Sequence, residues 1–210
     1  MGKFIFLLKN FIVDNFSIIR GNNNKFIING IFYKVKKDIR GNDNEVKLGK
    51  NSTLKNSKIF IRGNNNQIII ESNVSINNID LWIEDNNNRI YIGDYTTIES
   101  GHFAVTENNK SIKIGQNCMF STNVTIRTGD SHSIIDLESG TRINDAKDVI
   151  IGDSVWVGAN AVLLKGVNIG NNSIVGTGSV VSRSFIPNVV LAGIPAKIVK
   201  NNVSWKRERI

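Results

Sequence analysis

Cysteine, proline and histidine are scarce in this 210-residue chain, which has one, two and two of them. The single thiol, Cys118, excludes a disulfide framework within the chain and suits a reducing, cytoplasmic setting. The two histidines, His102 and His132, have no Cys/His cluster beside them. They are too few for a three-histidine zinc site in one chain, so no metal is expected. Long apolar runs are missing too. The N-terminal FIFLL is cut off by Lys9 and Asn10, is too short to span a bilayer, and is followed by no small-residue cleavage site. Phe4, Leu7, Leu8, Phe11 and Ile12 fall at helical spacing, which predicts a short amphipathic helix within residues 1–18. It would cap the first coil of the fold or, with Lys3 and Lys9, touch a membrane peripherally. Acid is short relative to base: 18 Asp and Glu against 26 Lys and Arg leave a net charge of +8. That suits an anionic partner without choosing one. Nucleic acid is disfavoured, because no aromatic stacking platform stands out in basic surroundings.

Asparagine, by contrast, recurs with a register. GNNN at Gly21, GNDN at Gly41, GNNN at Gly63, DNNN at Asp85 and ENNK at Glu107 are spaced by 20, 22, 22 and 22 residues. A finer period of six lies between and beyond them. Ile151, Val157, Leu163, Ile169, Val175 and Val181 are six apart, and four residues after an aliphatic comes a small or β-branched one, as at Val155, Ala161, Val167, Ser173 and Ser179. The same slots appear upstream, as Ile92 with Thr96 and Ile114 with Cys118, which makes Cys118 core filler. A period of six fits neither a helix nor an ordinary sheet. It fits a triangular solenoid in which short strands form the faces, aliphatics fill the prism, and Gly or Asn takes the positive φ of tight corners. The Asn triplets then mark one corner, stacked coil on coil into amide ladders.

One corner breaks the pattern. The inward series reads Ile92, Ile98, Ala104, Ile114, Phe120, Ile126 and then Ile151, a gap of 25 residues. The excursion TGDSHSIIDLESGTRINDAKD occupies the place that holds asparagine elsewhere, and it carries His132. Loops of this length in compact domains are usually functional or disordered. Histidine is the usual general base at neutral pH.

The stretch IGDSVWVGANAVLLKGVNIGNNSIVGTGSVV, residues 151–181, and the exit AGIPAKIVK, residues 192–200, resemble the hexapeptide-repeat acyltransferases. The likeness extends over most of residues 40–205 and is greatest to the capsule and polysialic acid O-acetyltransferases. It implies an all-β fold: a left-handed parallel β-helix over residues 19–191 with an extruded catalytic loop at 127–149, short helical segments at both ends, and a C-terminal extension at 192–210. It implies acetyl-CoA as donor, a homotrimer with sites shared between subunits, and a sugar hydroxyl in a bacterial surface polysaccharide as acceptor. Residue by residue, it makes His132 the catalytic base and Trp156, 24 residues on, its partner and a wall of the donor tunnel. It maps coenzyme A onto Ala159, Thr177, Ser182, Arg183, Lys197 and Lys200, of which Arg183, Lys197 and Lys200 have the charge that phosphates need. Asp130 is a candidate to orient the imidazole, or simply a turn-former. His102, Arg127, Arg142 and Asn144 are candidates for the acceptor side, where a carboxylated sugar would suit the arginines. Two rivals stay open: acetyl transfer to a small molecule (nucleotide sugar, serine or a streptogramin antibiotic), and a non-enzymatic solenoid that only binds. The zinc carbonic anhydrases of the same fold need the third histidine that this chain lacks.

Overall fold

The computed structural model describes residues 15–210, and the proposed N-terminal helix lies almost wholly outside them. Three sheets of eight, seven and nine strands make the three faces of a prism, and each strand pairs with the equivalent strand one coil away. Every pairing is parallel except one C-terminal hairpin. This is the winding of the expected parallel β-helix. The first coil opens at Phe16, two residues inside the segment assigned to the cap.

Inward side chains stack in columns along the axis. Ile61, Ile83 and Val105 form one such column, and all three are fully buried. The small slots behave likewise: Ser52, Thr96, Cys118, Val155 and Ser173 are all inaccessible to solvent. Burial pushes the Cys118 thiol up to about 11, so it stays protonated and inert.

Asparagines make the corner between the first and second faces. Asn23, Asn65, Asn87 and Asn109 all have φ between 56° and 60°, a conformation Asn adopts more readily than other non-glycine residues. Two amide ladders run along this corner. In the outer one, the backbone N–H of Asn42, Asn64 and Asn86 donates to the side-chain oxygen of Asn64, Asn86 and Asn108, at 2.8–2.9 Å. In the inner one, Asn66 and Asn88 donate to the side chains of Asn44 and Asn66 at 2.9 Å. The inner asparagines are 0–2% exposed, so each satisfies backbone groups that water cannot reach.

Two expectations are corrected. Ala104 does not point inward: Phe103 and Val105 do, and Ala104 shares an outward row with Trp82 and Arg127. Strands of the first face run to five or six residues in this region, so the count of six from Ile98 misplaces it by one. His102 accordingly lies on the outer surface and not in a core slot. The C-terminus is not helical either. Ala196–Asn201 pairs antiparallel with Val189–Gly193, and the chain then runs back along the third face as an irregular strap. Backbone carbonyls of that face hold it: Trp205 Nε1 donates to Ser154 O at 2.7 Å, and Arg207 to Tyr95 O at 3.2 Å and Cys118 O at 2.9 Å.

Candidate active site

The long loop leaves the strand Val124–Arg127 on the first face and rejoins the second at Val149–Ile151, so it replaces the asparagine corner of that coil. Its exit is fixed by Thr128, fully buried, whose Oγ1 accepts from the N–H of Thr106 at 3.0 Å. Gly129 follows because a Cβ there would lie 2.5 Å from Thr106 Oγ1. Further out the loop is an antiparallel finger with Ile135 opposite Arg142. Asp136 closes its turn, accepting from the N–H and Oγ of Ser139 at 2.8 and 2.7 Å.

Asn144 and Lys165 hold the loop base together. The Asn144 amide donates to His132 O at 2.8 Å and to Asp130 Oδ2 at 2.9 Å, and its oxygen accepts from Ile134 N at 2.8 Å. Lys165, one coil on, bonds both Asp130 and Asn144 O. The Lys165 hydrogen bond, followed by that of Asn144, holds the Asp130 carboxyl below the usual carboxylate range. Glu107 anchors the opposite side, accepting from Arg142 and from the N–H of Ala146 at 3.2 Å. Burial alone would raise its pKa, but these bonds and the nearby cations outweigh it and lower it. Asp130, Arg142 and Asn144 are thus committed to the loop's own framework. The backbone of His132 is pinned while its side chain stays exposed.

Beside this base lies a recess of about 250 Å³ on the first face, lined by Trp82, Glu84, His102, Ala104, Thr106, Arg127 and Ser131. Ser131, the residue before the candidate base, belongs to this lining, and His132 itself is exposed. Burial and then the Arg127 charge lower the His102 pKa, against the pull of Asp80 Oδ2, 3.7 Å from Nδ1. Of the candidate acceptor residues, His102 and Arg127 line the recess. Trp82, Ala104 and Thr106 were missed from sequence, where Ala104 was counted as core.

Trp156 lies elsewhere, on the outer surface of the third face, 39% exposed, its ring centroid 6.1 Å from that of Trp205. The third face is opposite the corner from which the loop springs, and no hydrogen bond or ring contact among the described residues joins Trp156 to His132. Ala159 and Thr177 meet at the corner between the third and first faces, where Gly178 N donates to Ala159 O at 2.8 Å. A Cβ at Gly178 would meet nothing within 4 Å, so the backbone there is open to a thin ligand. Lys197 and Lys200 lie on the terminal hairpin of the third face. Ser182 and Arg183 follow the last strand of the first face, with Arg183 over the Phe185 ring.

The family model for the bacterial transferase hexapeptide, six repeats, matches residues 148–183. The polysialic acid O-acetyltransferase of Escherichia coli O1:K1 / APEC is 38% identical over 91 residues, which are 43% of this chain and 30% of that protein. The aligned stretch is thus under a third of the curated relative's length. Two solved structures match nearly end to end. The polysialic acid O-acetyltransferase OatWY superposes with a TM-score of 0.87 at 37% identity, over 93% of this chain and 92% of its own. The polySia-specific acetyltransferase NeuO does so with a TM-score of 0.84 at 34% identity, over 92% and 83%.

Proposed function

The chain belongs to the hexapeptide-repeat acetyltransferases, and from that premise we propose that it transfers acetyl from acetyl-CoA to a hydroxyl of a sugar in a bacterial surface polysaccharide. The observation that carries this reading is the extruded loop. It is the one corner among the described coils where the ladder gives way to a braced finger, and the finger's base pins the backbone of His132 next to Ser131, which lines a polar recess. The kinship with proteins named for polysialic acid O-acetylation supports the acceptor class.

In this mechanism neutral His132 removes the proton from the acceptor hydroxyl as its oxygen attacks the thioester carbonyl. A tetrahedral intermediate forms, a backbone N–H near the Trp156 coil donates to its oxyanion, and the C–S bond breaks to release coenzyme A. The imidazolium returns its proton to the departing thiolate. No acyl-enzyme is required, and the buried Cys118 could not serve as one. The open corner at Ala159 and Thr177 suits pantetheine, and Lys197, Lys200 and Arg183 suit the phosphates.

The working unit in this reading is a homotrimer with shared sites. Two features support it. His132 and Trp156 sit on opposite sides of one prism. The finger also exposes Ile134, Ile135, Leu137 and Ile143 at 55%, 47%, 96% and 63%, an apolar surface suited to a neighbouring subunit. A location in the cytoplasm, where acetyl-CoA is made, fits the single buried thiol.

The test is thiol release from acetyl-CoA with a panel of acidic and neutral polysaccharides, free sugars, serine and a streptogramin. His132→Ala should lower kcat by at least about 10²-fold with coenzyme A binding intact. Near-full activity in that variant would refute the assignment of the base, and release with serine or the antibiotic alone would refute the acceptor.

A further inference from the structure

The outward row of the first face runs Asp38, Phe60, Trp82, Ala104, Arg127, each paired in register with the next. Neighbouring strands lie about 4.8 Å apart, so Trp82 and Arg127 stand roughly 10 Å apart with only a methyl group between them. The recess beside His132 is therefore a notch in this row, opened by Ala104. Its walls differ in chemistry. On one side the Trp82 ring is stacked on Phe60 at 3.6 Å and 15°, and its Nε1 donates to Glu84 at 3.0 Å, so the indole is held on one face and one edge. Lys58 Nζ lies 4.9 Å from the ring centroid, the His102 ring is 6.1 Å away at an angle of 46°, and both rings line the notch. On the other side Arg127 is exposed and has no carboxylate partner among the described residues. Thr106 also lines the notch, while its Oγ1 is turned onto Gly129 and is inaccessible to solvent.

Resting on the function proposed above, we infer that this notch is the acceptor subsite. It takes one pyranose ring of an acidic polysaccharide, with the ring's apolar face against Trp82 and its carboxylate on Arg127. Each wall matches one property of such a ring. A flat aromatic face suits axial C–H groups, and a guanidinium pairs with a carboxylate in two parallel bonds. Ala104 is then the specificity-determining residue, because any larger side chain in its place fills the space the sugar needs. Phe60 backs the platform without touching the bound ring. The notch opens toward Ser131, which presents the sugar to His132.

The experiment compares steady-state kinetics of the wild type, Ala104→Leu and Arg127→Met on an acidic polysaccharide and on the same polymer with its carboxyls reduced to alcohols. Coenzyme A binding is measured in parallel. Ala104→Leu should raise the acceptor KM at least 10-fold with coenzyme A binding unchanged. Arg127→Met should abolish the wild type's preference for the carboxylated polymer, while both variants melt within a few degrees of the wild type. Retained preference in Arg127→Met together with an unchanged acceptor KM in Ala104→Leu would overturn the subsite. Failure of the wild type to acetylate any saccharide would instead overturn the function on which it rests. Arg127→Met, at an exposed position, keeps the test valid should Ala104→Leu fold poorly.

Discussion

Lys165 illustrates how the candidate site is held by bonds within the loop's own framework. Its ammonium joins Asp130 to the Asn144 carbonyl, and so ties the loop to the coil after it. Replacing it with methionine should lower the acetylation rate at least about 10-fold, because misplaced catalytic groups lose rate steeply. Coenzyme A affinity should hold, and proteolysis within residues 134–141 should accelerate. Unchanged proteolysis with a lost rate would mean Lys165 acts in some way other than bracing. The acid limit of the loop has a definite sign. Asp130 and Glu107 have folded pKa values below their unfolded ones, so their contribution is complete above about pH 5 and is lost as pH falls from there through the folded values. Acid loosening of the loop should thus begin below about pH 5. His102 has the opposite charge logic. Its lowered pKa means that the unfolded chain binds the extra proton first, so protonation of His102 destabilises the fold below about pH 6.5 and has no effect above it. Arg127→Met removes one of the two main causes and should raise the His102 pKa in an NMR titration; no rise would show that burial alone sets it.

At the scale of the element, the asparagine corner shows what a residue pattern can reveal. The 22-residue register placed the ladders in sequence, because a solenoid repeats its backbone and each repeat makes the same demand on its corner. What the register did not reveal is that the two asparagine columns differ in burial. Asn66 is fully buried, donating to Asp85 O at 2.9 Å and accepting from Asn88 N at 2.9 Å. Asn108 is exposed, and water can replace its bond to Asn86 N. Asn66→Ala should therefore cost about 3 kcal/mol, since it strands two buried backbone groups, and Asn108→Ala about 1 kcal/mol or less. Urea unfolding of the two variants decides it, and equal costs would show that ladder position does not matter. Registers of six or 22 residues also assume constant strand length. They failed at Ala104 for that reason, since the strand Ile79–Glu84 is six residues long and its neighbour Gly101–Val105 five. The lining of the notch was illegible in the sequence because one added residue exchanges inside for outside.

At the scale of the whole molecule, the solenoid makes a site from residues close in sequence only when they share a face. His102 and Arg127 line one recess because they stand on adjacent strands of the first face. His132 and Trp156 are 24 residues apart yet belong to opposite sides of the prism. In the trimer proposed above their pairing would need a second chain, so it rests on the family resemblance and not on the geometry of this chain. The exposed Leu137 and its apolar neighbours on the finger are the surface that such a chain would cover. This arrangement has a consequence that a self-contained site does not. His132→Ala and Trp156→Ala should each be nearly inactive alone. Co-expressed with different tags and purified through both, they form mixed trimers. In these, some sites take an intact His132 from one subunit and an intact Trp156 from its neighbour. Whichever variant is in excess, one site in three of each mixed trimer is whole, so activity should recover toward about a third of wild type. If each site used both residues of a single chain, every site in the mixture would carry one lesion and no activity would return. That second outcome would require the finger to fold back around its own prism to reach Trp156, against its observed bracing by Glu107, Asn144 and Lys165.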